Sequence, residues 1–149
     1  MNENQSGAGR TVDKDFESTL ESVDEAESLV LQAAEQAGFD EEELHKLGMA
    51  VREAMVNAVV HGNRYNLRKK VHFRLVSERD TLRLTIIDEG EGFELTELPD
   101  PLAEENLLRQ SGRGLLLIKA FVDEFSMHKA AAPMGTEVNI VVHRTKKHS

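Results

Sequence analysis

Three side chains of unlike chemistry recur at a fixed interval in this sequence: Glu53, Asn57 and His61. Positions four apart drift only roughly 40° around a helix, so a carboxylate, an amide and an imidazole line up along one face. Leu44, Leu47, Val51, Ala54, Met55, Ala58 and Val59 form an apolar stripe beside that face, and Met49, Ala50, Val56 and Val60 make the other sides largely apolar too. A helix apolar nearly all round is a buried one. A carboxylate or amide buried there is costly unless it has a partner, which marks the pair as a candidate site. Asn57 can offer an oxygen to Mg²⁺, a hard cation often shared with phosphates, and Glu53 can orient or deprotonate an attacking hydroxyl or water. Two plainer readings stay open: Glu53 and Asn57 as a capped or solvent-facing pair, and His61 as a cap on the last helical carbonyls and their dipole.

Two further stretches carry chemistry that would complete a nucleotide site. Asp88 is followed by Gly90 and Gly92 in Asp88-Glu89-Gly90-Glu91-Gly92-Phe93. An acceptor-only carboxylate can take a hydrogen bond from an exocyclic amine such as adenine N6, and glycines let a ligand approach the backbone. Gly112-Arg113-Gly114 opens an apolar stretch, and a glycine-bounded helix N-terminus offers free amides and a favourable dipole to phosphate. Each stretch alone is also an ordinary turn.

The elements that must position these residues follow from periodicity. Residues 1–12 are expected to form a disordered tail, with a short edge strand over 15–20. Ser22-Val23-Asp24-Glu25 fits a capping box, from which Val23, Ala26, Leu29, Val30, Ala33 and Ala34 stripe a helix that Gly38 ends. Asp40 and Glu43 repeat the capping pattern and start the central helix, which Gly62 stops after His61. From Lys70 the period becomes two: Val71, Phe73 and Leu75, then Leu82, Leu84 and Ile86, flank a turn at 77–80 and predict a β-hairpin. Residues 94–110, with Pro99 and Pro101, read as a long lid-like loop. A helix over 115–125 follows, then a strand near 125–132, a turn at Pro133-Met134-Gly135 and a last strand through Val138, Ile140 and Val142. This order predicts an α+β fold, a two-layer α/β sandwich whose mixed, mostly antiparallel sheet carries helices on one face. The domain is expected over 13–144, with 145–149 as a small basic tail.

Composition narrows the function classes. The 149 residues suit one domain with one core. No apolar run approaches the roughly 20 residues a membrane span needs, residues 1–10 lack the apolar core of a signal peptide, and the absence of cysteine excludes disulfides and thiolate metal sites. A cytoplasmic location is the expectation. Of the net charge of −9, the segment 13–43 carries twelve acidic residues against Lys14 alone, a local −11 that leaves +2 for the rest. Such a face repels nucleic-acid phosphates and suits either a basic protein partner or plain solvation.

Taken together, Glu-x-x-x-Asn-Ala-x-x-His-Gly at 53–62, Asp-x-Gly-x-Gly-Phe at 88–93, Gly-x-Gly-Leu at 112–115 and Gly-Thr-Glu-Val at 135–138 resemble, in order and spacing, the boxes of the GHKL ATPases. The likeness covers roughly residues 14–143. Small size, a short lid and the absence of a dimerising helical hairpin make the chain most similar to the anti-sigma-factor serine/threonine kinases. The resemblance implies the Bergerat-type ATP-binding fold, with ATP and Mg²⁺ as cofactors. It makes Glu53 the catalytic base, Asn57 the Mg²⁺ ligand and Asp88 the adenine-specificity residue, supported through water by Thr136. Gly90 and Gly92 would shape the adenine pocket, Gly112, Arg113 and Gly114 the phosphate end of the lid, and His61 and Asn63 would lie near the phosphates. It implies as partners an anti-sigma-factor antagonist, a sigma factor and a second copy of the chain in a homodimer, with neither nucleic acid nor membrane bound directly. The lid departs from longer glycine-rich ones in having a single glycine pair after Ser111. The expected activity is transfer of the ATP γ-phosphate to a serine of the antagonist. Two alternatives are a nucleotide-gated binding module that sequesters a regulator without chemistry, and a stand-alone histidine-kinase-type catalytic domain.

Overall fold

The computed structural model describes residues 9–90, 114–130 and 135–145. Gly92, Gly112, Arg113, the expected lid, the Pro133-Met134 turn and the outer parts of both expected tails lie outside them. The elements are β1 (Arg10–Glu17), α1 (Leu20–Gln36), α2 (Glu41–Val56), a π-helical segment (Asn57–Gly62), β2 (Lys70–Glu78), β3 (Thr81–Ile87), α3 (Gly114–Phe121), β4 (Glu124–Lys129) and β5 (Thr136–His143). The strands form one sheet in the order β1-β2-β3-β5-β4. All four pairings are antiparallel, so the expected mixed character is absent among the described residues.

Alternation decides which face of the sheet is covered. Val71, Phe73 and Leu75 of β2, Leu82, Leu84 and Ile86 of β3, and Val138, Ile140 and Val142 of β5 are all buried, and they share one core with α1, α2 and α3. The opposite face holds rows such as Asp13, Arg74, Thr85 and Asn139, set side by side by the strand register. This is the two-layer arrangement that period-two strands and amphipathic helices require. α2 packs between α1 and α3 and buries Leu47, Ala50, Val51, Ala54 and Met55, but Met49 and Arg52 are exposed, so the helix is not covered all round as its sequence suggests.

The first strand is longer and earlier than expected. It begins at Arg10, inside the expected tail, because ladder pairing with β2 rather than apolar alternation holds it; Phe16 is its one buried residue. Phe16 meets Phe73 edge to face at 5.4 Å. Leu20 opens α1 instead of closing the strand, since the N-cap is Thr19, whose hydroxyl accepts from the Ser22 N–H at 3.2 Å. Glu25, expected to close a capping box with Ser22, pairs with Lys14 of β1 instead.

The other helix ends follow their sequence signals. Gly38, at φ +92°, donates to the Glu35 carbonyl and Phe39 to that of Ala34, closing a Schellman motif with Phe39 buried. Asp40 and Glu43 form the reciprocal capping box, each contact at 2.8 Å. Thr145, placed by sequence in the C-terminal tail, donates its N–H to the Glu43 carboxylate at 2.6 Å.

Candidate active site

Asp88 leaves β3 at the point where the sheet stops. Its N–H donates to the Thr136 carbonyl at 3.0 Å, which carries the β3/β5 ladder one residue further. Its Oδ1 accepts two backbone N–H groups, from Gly90 at 2.9 Å and Thr136 at 3.2 Å. The residue is buried, and desolvation pushes its carboxyl pKa up against the lowering effect of those two amides.

Three glycines allow this placement. A Cβ on Gly62 would lie 2.4 Å from Asp88 Oδ2, one on Gly90 2.3 Å from the Gly62 carbonyl oxygen, and one on Gly135 1.8 Å from the Asp88 carbonyl oxygen. Gly135 also has φ +153°. The end of the central helix, the β3 exit and the start of β5 are therefore in backbone contact around one carboxylate.

The second cluster lies along α2. A Cβ on Gly114, the first residue of α3, would stand 2.6 Å from Glu53 Oε2 and 3.8 Å from Asn57 Nδ2. The carboxylate, the amide and the N-terminus of α3 thus converge. Asn57 Nδ2 is buried without a hydrogen-bond partner among the described residues. A buried unpaired amide is costly, and rotating the amide by half a turn presents its oxygen instead. That is what a residue awaiting a cation or phosphate would look like. Among the described residues no group of three or more His, Asp or Glu gathers to hold a metal. A cation at Asn57 would draw its remaining ligands from phosphate oxygens and water, which is how Mg²⁺ is usually held.

His61 is not among the atoms nearest Gly114. The helix widens to a π-helix from Asn57, with the Asn63 N–H reaching the Ala58 carbonyl five residues back at 2.8 Å. His61 is exposed there, whereas Asn57 is half-buried. π-helical turns recur at functional sites; this one lays Gly62 against Asp88.

Asn63 is a correction of a different kind. It is 1% exposed, its Nδ2 donates to Ser18 Oγ and to the Lys70 carbonyl at 3.0 Å each, and its Oδ1 accepts the Glu89 N–H at 2.8 Å. Both donors are engaged inside the protein, so Asn63 is a scaffold residue and not a phosphate contact.

Of the residues the sequence singles out, the structure brings Asp88, Gly90 and Thr136 together, Thr136 through its backbone N–H and not through water, and it brings together Glu53, Asn57 and Gly114. The sequence reading misses Gly62 and Gly135 as walls of the Asp88 cradle, having read them as a helix stop and a turn. It also misses Glu89, whose Oε1 accepts the Lys70 N–H at 3.2 Å and whose Oε2 meets His72 Nε2 at 2.6 Å. His72 Nδ1 in turn meets Asp15 of β1 at 2.8 Å. Burial alone would lower the His72 pKa, but the hydrogen bonds and charges of Asp15 and Glu89 outweigh it and hold the imidazole above its usual value.

Comparison with known proteins fixes the family. A model of the histidine kinase-like ATPase domain matches residues 16–142, nearly the whole described chain. This protein belongs to the histidine kinase-like ATPase domain family. Within that family, the anti-sigma F factor of Bacillus subtilis (strain 168) is 33% identical over 107 residues, 70% of this chain and 73% of that protein. The anti-sigma F factor of Anoxybacillus flavithermus (strain DSM 21510 / WK1) is likewise 33% identical over 107 residues, 70% of this chain and 73% of that protein. That of Bacillus thuringiensis (strain Al Hakam) is 38% identical over 85 residues, 56% of this chain and 58% of that protein. Among solved structures, the mycobacterial sensor histidine kinase MprB superposes with a TM-score of 0.53 at 22% identity, covering 89% of this chain and 98% of that one. That likeness bears on the ATPase-domain fold. Among the described residues no helix is long and apolar enough to cross a membrane.

Proposed function

We propose that this histidine kinase-like ATPase domain is an anti-sigma factor and protein serine kinase, which binds Mg·ATP and transfers its γ-phosphoryl group to a serine of an antagonist protein. The observation that carries the reading is the convergence of Glu53 and Asn57 on Gly114, with Asn57 Nδ2 buried and without a partner among the described residues. The anti-sigma F factor names of its relatives support the choice of partner class, a sigma factor and its antagonist. A cytoplasmic location goes with such partners.

In this reading adenine enters beside Asp88. Gly90 and Thr136 hold Oδ1, and Oδ2, on the Gly62 side, accepts the exocyclic amine. Asn57 would hold Mg²⁺ through its amide oxygen, and the bound cation supplies charge neutralisation at the phosphate oxygens. Glu53 orients the incoming serine hydroxyl and takes its proton. The serine oxygen bonds to the γ-phosphorus, the bond from that phosphorus to the bridging oxygen breaks, and ADP leaves. Catalysis of this kind is mainly positioning and charge stabilisation. The phosphoserine gains roughly −1.5 to −2 charge, which disfavours continued docking on a protein with so acidic a segment at 13–43.

The test is transfer of labelled γ-phosphate to a purified antagonist. Glu53→Ala should slow transfer by roughly 10²–10⁴-fold while Mg·ATP affinity stays within a few-fold. Undiminished transfer in that variant would overturn the assignment of the base. Tight ATP binding by the wild type with no transfer to any antagonist serine would replace the kinase with a nucleotide-gated sequestering module.

A further inference from the structure

The Asp88 carboxylate is aimed by backbone amides, so its position is only as fixed as the segment 88–90. On one side that segment is held by β5, through the Asp88 and Thr136 main chains and the close contact at Gly135. On the other side it is held by two side chains. Asn63 accepts the Glu89 N–H at 2.8 Å while donating to Ser18 Oγ and the Lys70 carbonyl, and Glu89 accepts the Lys70 N–H and meets His72. Ser18 Oγ donates to that same Lys70 carbonyl at 2.5 Å, so the β1–α1 corner, the start of β2 and the β3 exit are tied at a single buried point.

We propose that Asn63 and Glu89 are positioning residues for nucleotide selectivity, setting where the Asp88 carboxylate stands without touching the nucleotide themselves. This inference rests on the reading of Asp88 as acceptor of the adenine amine. A hydrogen bond weakens steeply with distance and angle. Cutting the tie on the β2 side lets segment 88–90 relax away from the geometry that β5 alone does not fix. Only the contact to the exocyclic amine depends on that geometry, while phosphate contacts at Asn57 and Gly114 come from other elements. The signature is therefore a change in selectivity and not a uniform loss of affinity.

Calorimetric titration of the full chain with Mg·ATP and with Mg·ITP, which lacks the exocyclic amine, reads this out. The wild type should prefer ATP by roughly tenfold or more. In Asn63→Ala and in Glu89→Ala that preference should shrink to roughly two- or threefold, through lost ATP affinity, with ITP affinity and binding stoichiometry unchanged. Glu89→Gln, which keeps an oxygen for the Lys70 N–H, should restore most of the preference. If Asn63→Ala fails to fold, the Glu89 pair decides alone, since that side chain is partly exposed. A wild-type ratio near one overturns the Asp88 reading and this inference with it. A wild-type preference for ATP that survives intact in Glu89→Ala overturns this inference alone.

Discussion

The two ends of the site are built on opposite principles. At the Asp88 end, both backbone amides facing Oδ1 are paired, three glycines bring main chains into contact, and Asn63 and Glu89 brace the segment from the β2 side. At the Glu53 end, the buried Asn57 Nδ2 has no partner among the described residues and a carboxylate stands against a bare glycine at the start of α3. The first end fixes its carboxylate through Oδ1 and leaves Oδ2 for a ligand; at the second, the buried Asn57 Nδ2 has no partner among the described residues. Recognition of the base is thus preorganised, whereas the phosphate end depends on what binds there.

Substitutions that strike one end and spare the other sharpen this contrast. The largest loss of stability should come from Gly135→Ala, which puts a Cβ where the Asp88 carbonyl stands and forces a non-glycine residue to φ +153°. Strain and overpacking together should cost roughly 2–4 kcal/mol in chemical denaturation. A loss under about 1 kcal/mol, within the range of an ordinary surface change, would mean that the cradle is not tightly built.

A paired comparison of two asparagines comes next. Asn63→Ala removes three hydrogen bonds from a buried residue and should destabilise by roughly 1.5–3 kcal/mol. Asn57→Ala removes a buried donor that has no partner among the described residues, so stability should hold or rise by up to about 1 kcal/mol. Equal losses in the two would erase the distinction between a finished end and an unfinished one.

The smallest effect is one of pH. The His72 pKa is raised in the folded protein, so its contribution to stability is fully present below the unfolded value of about 6.5 and is lost as pH rises through the higher folded value. Denaturation midpoints should therefore fall modestly above neutrality, and the fall should flatten in His72→Gln. Being partly exposed, the Asp15–His72–Glu89 contacts are screened by solvent. A midpoint that rises over the same range would contradict the direction of the shift.

Much of the fold was legible because its signals are local. Glycine at 38, the Asp40 and Glu43 box and the alternation from Lys70 each act within a few residues, and each appears where its chemistry puts it. β1 was harder, since an edge strand held by pairing alone shows no alternation, and Thr19 competes with Ser22 for the same cap. The π-helical segment left no sequence trace, because a five-back hydrogen bond is chosen by what Gly62 must approach and not by its neighbours in the chain. For the same reason Asn63 read as a phosphate contact: its partners Ser18 and Glu89 are 45 and 26 residues away. Residues that carry a motif, such as Asp88, Gly90 and Thr136, stood out in the sequence even across strands, whereas bracing residues such as Glu89, whose roles are set by distant partners, did not.

The central claim, one nucleotide held by two unlike ends, is tested most directly by calorimetric titration of Mg·ATP into the wild type, Asp88→Asn and Asn57→Ala. Saturable adenine-selective binding is expected. Asp88→Asn should weaken it whether or not Mg²⁺ is present, and Asn57→Ala should leave residual affinity that no longer responds to Mg²⁺. Identical behaviour of the two variants, or binding unaffected by either, would contradict the account.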